Sequence, residues 1–225
     1  MDLDVLRRSP LFAGLDDQAS HDLLAVMTPM RLERGDILFH EGEAGERLYV
    51  ITEGKVKLGR TSSDGRENLL AILGPGEMFG ELSLFDPGPR TATATAVAET
   101  QLVGLTNEAM HTYLARNPRV ALTLLAALAR RLRRTNESLA DLVFTDVPGR
   151  VAKALLELSG RFGRPVEEGI LVAHDLTQEE LAQLVGASRE TVNKALADFA
   201  SRGWIRLEAR AVLLIDLERL RRRAR

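Results

Sequence analysis

Glu81 and Arg90 stand nine positions apart in the stretch FGELSLFDPGPRTATATA (79–96), among glycine-rich turns and a run of small residues. A guanidinium presents a planar fork of donors that suits a carboxylate or a phosphate. A carboxylate repels phosphate but accepts from a sugar hydroxyl. Two arrangements fit these residue types. One is an Arg–Glu ion pair that fixes a hairpin. The other is a site for an anionic, hydroxyl-bearing ligand, with backbone N–H groups at Glu81–Ser83 and Thr91 adding donors if they open a short helix or nest. Taken alone, the stretch favours the ion pair.

Other chemistry is thinly represented. The chain has no cysteine, which excludes disulfides, thiolate catalysis and cysteine-ligated zinc or iron–sulfur clusters. The four histidines, His21, His40, His111 and His174, are scattered, so no metal is expected. No paired base and nucleophile appears, and an enzyme is not expected. Two further clusters carry polar groups. Thr135-Asn136 interrupts a line of leucines, and Ser188-Arg189-Glu190-Thr191 opens a short apolar-periodic segment.

The elements that must position these residues are legible from turns and periodicity. Residues 30–106 place turn signals (ERGD, EGEAGE, TEGK, SSDG, GPG, DPGPR) between short apolar or alternating runs: ILF (37–39), LYVIT (48–52), KVKL (55–58), NLLAIL (68–73), TATATAV (91–97) and QLVGL (101–105). That pattern predicts an all-β sandwich or barrel. Residues 3–27 are expected to be helical. Asn117-Pro118 opens a long helix to about Phe144. Leu125, Leu128, Leu132, Thr135, Leu139 and Leu142 recur on it at alternating spacings of three and four, the seam of a coiled coil, which predicts a homodimer. The arginines 130, 131, 133 and 134 beside that seam read mostly as a solvated face.

Asp146-Val-Pro-Gly149 breaks the helix and marks a hinge. Beyond it, 149–162 is expected to be helical and 170–173 a strand, followed by helices near 177–185 and 188–201. WIRLE (204–208) and VLLID (212–216) form a hairpin, with EARA as its turn. Thr177 with Glu180 makes a capping box, Gly186 permits a tight turn, Ser188 caps the next helix, and Val192, Ala195, Leu196 and Phe199 face inward. This is a winged helix-turn-helix. Arg189 suits guanine O6 and N7, Glu190 suits cytosine N4, and Thr191 and Lys194 reach phosphate or base. The charge distribution agrees. Residues 1–115 hold 10 Lys/Arg against 18 Asp/Glu, whereas 189–225 hold 10 against 5. The RRRAR end itself reads as a solvated tail.

With a polyanion reader downstream, the first cluster reads differently. A ribose carrying a phosphate monoanion would engage Arg90 through its phosphate and Glu81 through a hydroxyl, with Thr135 and Asn136 reaching a base.

The stretches FGELSLFDPGPRTAT (79–93), RRLRRTNESLADL (130–142), DVPGRVAKALL (146–156) and DLTQEELAQLVGASRETVNKALADFA (175–200) resemble the cyclic-AMP receptor protein/FNR family of bacterial regulators, closest to its actinobacterial members. The resemblance spans nearly the whole chain. It implies an α+β protein in three parts: a cyclic-nucleotide-binding β-barrel of jelly-roll type (1–116), a dimerisation helix (117–145) and a winged helix-turn-helix DNA-binding domain (146–225). It implies cyclic AMP as effector, held by Gly80, Glu81, Leu82, Ser83, Arg90 and Thr91. A pocket-lining strand is implied over Gly65, Arg66, Glu67, Asn68, Leu69, Leu70 and Ala71, with Thr135 and Asn136 at the adenine. It implies DNA-binding positions at Thr177, Gln178, Glu179, Ser188, Arg189, Glu190, Thr191, Asn193 and Lys194.

The partners it implies are a second copy of the chain, an inverted-repeat double-stranded operator and RNA polymerase. The chain has no apolar run of about 20 residues to span a membrane. Its N-terminus, MDLDVLRRSPLF, has no apolar secretory core, so the cytoplasm is the expected compartment. The alternatives are the same fold with another effector, DNA binding independent of nucleotide, or a nucleotide-binding module that regulates an enzyme.

Overall fold

The computed structural model describes residues 3–12, 15–62, 65, 67–86 and 88–224. They form two compact units: residues 1–60 with 71–133, and residues 61–70 with 134–225.

In the first unit the chain starts with two helices, α1 (Leu3–Leu6) and α2 (Asp17–Ala25), rather than one helical stretch over 3–27. Asp16 caps α2 through the Ala19 amide. Eight strands follow. β1 (Thr28–Leu32), β8 (Thr100–Thr106), β3 (Arg47–Glu53) and β6 (Met78–Phe79) make one sheet in the order β1-β8-β3-β6. β2 (Ile37–Phe39), β7 (Thr93–Ala96), β4 (Val56–Thr61) and β5 (Glu67–Leu73) make another in the order β2-β7-β4-β5. The expected jelly roll is thus two separate four-stranded sheets. Among the described residues no ladder joins them into the closed barrel that was expected. Double-sheet packing buries the inner faces without bending hydrogen bonds around a closed ring.

β3 reads as an unbroken apolar run because both of its faces are covered. Leu48 and Val50 point into a core with Leu6, Leu23, Met110 and Leu124 from the helices and Leu11 and Phe12 from the turns between α1 and α2. Tyr49 and Ile51 point the other way, to Phe39, Val56, Leu58, Phe79 and Ala94. The alternation of side chains along a strand thereby sorts one sequence into two cores. In β7 Ala94 and Ala96, with Ala92 just before it, are buried while Thr93 and Thr95 are half-buried. Small residues on that face leave room for the aromatic trio Phe39, Tyr49 and Phe79, whose ring centroids lie 5.4 to 6.1 Å apart.

Between β6 and β7 lies a single helical turn, α3 (Leu82–Phe85). After β8 comes a helix the periodicity did not separate, α4 (Asn107–Arg116), capped by Thr106. α5 (Pro118–Phe144) then runs for 27 residues with proline at its first position. It buries Val120 and Leu124, but Leu125, Leu132, Leu139 and Leu142 are at least half exposed, at 50 to 62%.

In the second unit Asp146 caps α6 (Val147–Phe162), which begins two residues earlier than expected. Strands β9 (Gly163–Val166), β10 (Gly169–Ala173), β11 (Ile205–Glu208) and β12 (Ala211–Leu214) make an antiparallel sheet in the order β11-β12-β10-β9. The β11–β12 hairpin turns on Ala209-Arg210 alone, and Arg210 sits at φ 57°. α7 (Gln178–Val185) and α8 (Arg189–Ser201) lie between β10 and β11. At the RRRAR end Arg221 and Arg222 are exposed as expected, but the chain up to Arg223 is helical rather than a loose tail. It forms α9 (Leu217–Arg223), which packs on α6 with Leu220 fully buried.

Candidate functional site

Gly80 ends β6 at φ 77°, a conformation that excludes most side chains. A Cβ there would also stand 2.8 Å from Arg90 Nη1 and 3.1 Å from the Arg47 carbonyl. The missing side chain is what lets Arg90 close over the turn. Arg90 Nη1 donates to the Gly80 carbonyl at 3.0 Å and to Ser83 Oγ at 3.3 Å, and Nη2 donates to the Arg47 carbonyl at 2.8 Å. Its guanidinium carbon lies 4.2 Å from the centre of the Phe39 ring. Ser83 Oγ in turn donates to the Gly80 carbonyl at 3.2 Å. Gly45 completes the enclosure, because a Cβ on it would overlap Ser83 at 2.3 Å.

The result is a buried cation held by neutral acceptors. Arg90 is 6% exposed. Burial pushes its guanidinium below the ordinary value, partly offset by Tyr49 and by the carboxylates of Glu43 and Glu81. Nε is buried without a hydrogen-bond partner. Buried donors are normally satisfied, and one left open at a charged group marks a place where an acceptor belongs.

Glu81 does not pair with Arg90. Its Oε1 accepts from Arg131 Nη1 of α5 at 2.6 Å, with the carboxylate almost fully buried and Arg131 43% exposed. Its Oε2 is buried without a partner. The structure therefore replaces the ion-paired hairpin with two separate holders: backbone carbonyls for the cation and a helix arginine for the anion. Arg131 was missed in the sequence, where it read as part of a solvated face. The signal was present: Leu124, Leu128, Arg131 and Thr135 fall on one stripe of a helix, and Leu124 is buried.

Gly80, Glu81, Ser83 and Arg90 are thus brought together. Leu82 and Thr91 flank them and are exposed. Of the expected pocket strand, Arg66 lies outside the described residues. Gly65, Glu67, Asn68 and Leu70 are exposed, Leu69 is buried and Ala71 is half-buried. Thr135 and Asn136 are exposed on α5.

The second cluster is built by caps. Thr177 Oγ1 accepts from the Glu180 amide at 3.1 Å, and Glu180 Oε2 accepts from the Thr177 amide at 2.7 Å. The two groups thereby satisfy each other's exposed ends and start α7. Gly186 closes it at φ 70°. Ser188 Oγ accepts from the Thr191 amide at 3.2 Å and starts α8. Val192, Ala195, Leu196 and Phe199 are all buried, which turns Arg189, Glu190, Thr191 and Lys194 outward into solvent. Thr177, Gln178, Glu179 and Ser188 are also exposed. Asn193 is half-buried and donates to Gln178 Oε1 at 3.2 Å, so this pair fixes α8 against α7.

Two family models match the two regions just described. A cyclic nucleotide-binding domain matches residues 29–117, and a Crp-like helix-turn-helix domain matches residues 149–223. Nucleotide-binding module plus helix-turn-helix defines a class of transcription regulators. The chain is 58% identical over 222 residues to the CRP-like cAMP-activated global transcriptional regulator of Mycobacterium tuberculosis, covering 99% of each chain. It is 41% identical over 202 residues to the cyclic AMP receptor protein of Thermus thermophilus, covering 90% of each. Among solved structures, FixK2 from Bradyrhizobium japonicum matches with a TM-score of 0.78 at 26% identity, covering 88% of this chain and 96% of that one. The chain belongs to the CRP family of transcriptional regulators, whose membership implies DNA binding and dimerisation. Among the described residues, no cluster of acidic or histidine side chains could hold a metal, and no helix is long and apolar enough to cross a membrane.

Proposed function

We propose that this protein is a homodimeric transcription regulator of the cytoplasm, activated by cyclic AMP and not itself an enzyme. The observation that carries the ligand reading is the buried Arg90, whose Nε is open while its other nitrogens are held by carbonyls and Ser83. A cyclic phosphate has the acceptor oxygens and the single negative charge that such a donor calls for. The residues fit the group: Arg90 and Ser83 hold phosphate, with Gly80, Leu82 and Thr91 lending backbone. Glu81 accepts from the ribose hydroxyl through the oxygen that has no partner. The strand 65–71 lines the pocket, and Thr135 and Asn136 reach the base.

The chain works in three parts, 1–116, 117–145 and 146–225. The exposed leucines of α5 form the seam with a second copy. Bound nucleotide favours one arrangement of that helix and the hinge Asp146–Gly149. This aims two copies of α8 at major grooves one helical turn apart on an inverted repeat. Arg189 and Glu190 read base edges. Thr177, Gln178, Glu179, Ser188, Thr191, Asn193 and Lys194 complete the DNA face, and the bound dimer works with RNA polymerase.

The test is a titration of labelled inverted-repeat operator with the protein, with and without cyclic AMP, alongside calorimetry of nucleotide binding. The reading expects tighter DNA binding with cyclic AMP, and nucleotide binding abolished by Arg90→Glu. Equal DNA affinity in both arms would remove the activation. Unchanged nucleotide affinity in the variant would remove the pocket.

A further inference from the structure

α9 ends on Arg223, whose Nη2 donates to Asp146 Oδ2 at 2.6 Å across 77 positions of chain. The acceptor is a residue already in use. Asp146 Oδ1 accepts from the Gly149 amide at 2.9 Å and so starts α6. The surroundings are tight: a Cβ on Gly149 would lie 2.9 Å from Asp146 Oδ1 and 3.3 Å from Arg223 Nη1. Leu220, fully buried, fixes the body of α9 against α6, so Arg223 is delivered to the hinge by packing.

One residue beyond Gly149, Arg150 spans from the hinge to the helix-turn-helix. Nη1 donates to the Thr145 carbonyl at 2.8 Å, Nε to the Val185 carbonyl at 3.0 Å and Nη2 to the Gly186 carbonyl at 3.1 Å. Gly186 is the turn between α7 and α8, and Ser188, two residues on, caps α8. A continuous line of contacts inside one unit therefore leads from the last helix, through the start of α6, to the element that bears Arg189. The Asp146 carboxyl is held below the usual carboxylate range, first by its hydrogen bond from Arg223 and then by the Gly149 amide.

We propose that α9 is a latch for the DNA-reading unit, in which Arg223 is a positioning residue that acts through Asp146 on the start of α6 and, through Arg150, on the turn that aims α8. Arg223 need not touch DNA. The inference rests on the DNA-binding reading above, and its structural part can be measured without DNA.

The test uses the full chain with Arg223→Ala, Arg223→Lys and, as an independent break, Asp146→Asn, which keeps an oxygen for the Gly149 amide and removes the charge. Two quantities are read. The first is amide hydrogen exchange at Gly149, with Val172 in β10 as internal reference. The second is operator affinity at saturating cyclic AMP over a range of salt. The Arg223–Asp146 pair is partly exposed, so the expected effect is roughly two- to fivefold. Arg223→Ala and Asp146→Asn should exchange Gly149 faster by that factor and weaken the operator similarly, with Val172 exchange unchanged. Arg223→Lys should stay near the parent protein. The slope of log affinity against log salt should not change, whereas loss of a phosphate contact lowers it by about one.

Unchanged Gly149 exchange in Arg223→Ala overturns the latch. So does a salt slope reduced by one, which makes Arg223 a DNA contact, or a lysine variant as impaired as the alanine. If the parent protein binds no operator in either nucleotide state, the DNA reading falls, and Gly149 exchange still decides the latch.

Discussion

The two polar regions of this molecule solve opposite problems. Around Arg90 and Glu81 the charges are taken out of water and each must be held: the cation by carbonyls and Ser83, the anion by Arg131. At the start of α8 the charges stay in water, and only the helix that carries them is held, by Thr177, Ser188 and a buried apolar face. The difference shows in the unsatisfied atoms. Arg90 Nε and Glu81 Oε2 are buried without partners, which is tolerable where a ligand supplies them. Arg189, Glu190 and Lys194 are exposed to water, so in the proposed DNA-reading role they lose little before a target arrives. A buried site is thus specific because an ill-matched ligand leaves charge unpaired. An exposed reading helix is specific only through alignment with its target.

Four substitutions break or sharpen that contrast. The largest effect is expected at Arg90. Arg90→Ala removes a buried charge together with its three hydrogen bonds and its ring contact. Cyclic AMP affinity should fall about 100-fold or more in calorimetry, as for truncation of one partner of a buried charge pair. Next, Arg131→Ala leaves Glu81 buried with neither oxygen bonded. Because Arg131 is itself partly exposed, the cost should be about 1–2 kcal/mol in chemical denaturation of the nucleotide-free protein. No loss would mean that water satisfies Glu81.

At the exposed region, Arg189→Ala should leave folding stability unchanged. It should remove about 1–3 kcal/mol of discrimination at one base pair per half-site, read by competition among operator variants.

The smallest effect is expected at Tyr113. It is buried, its hydroxyl has no partner, and burial raises its phenol to about 12 from the usual 10. A group whose folded value is raised keeps its stabilising contribution below about 10 and loses it as pH rises through about 12. Tyr113→Phe should therefore match the parent protein in thermal unfolding at pH 7 and lose less stability between pH 10 and 12.

Much of this was legible in the chain. The short strands, the long helix, the break between Phe144 and Val147 and the capped helix pair follow from turn residues, proline positions and apolar spacing, all local signals. β1, β6, β9, α4 and α9 were not seen. β6 is two residues long, β1 and β9 each carry a proline, and α4 and α5 are separated only by Asn117. At the site, Arg90 and the backbone of Glu81–Ser83 stand out through the small residues around them, which alone favour an ion pair, and Gly80 enters only through the family resemblance. Arg131 was passed over because its exposure pattern depends on which face of α5 the first unit covers.

The sequence by itself determined the element types and the chemistry available, because caps, turns and periodicity act within a few residues. It also determined that Arg189 and its neighbours would face water, since the buried positions of α8 repeat at helical spacing. Tertiary structure alone decided the partners of the charges. Glu81 pairs 50 positions away with Arg131 rather than nine away with Arg90, and Arg223 reaches Asp146 across 77. Nothing in the spacing of charges along a chain selects between such pairs. The choice goes with the burial of Leu124, Leu220 and the Phe39 ring, which fixes the surroundings of each guanidinium.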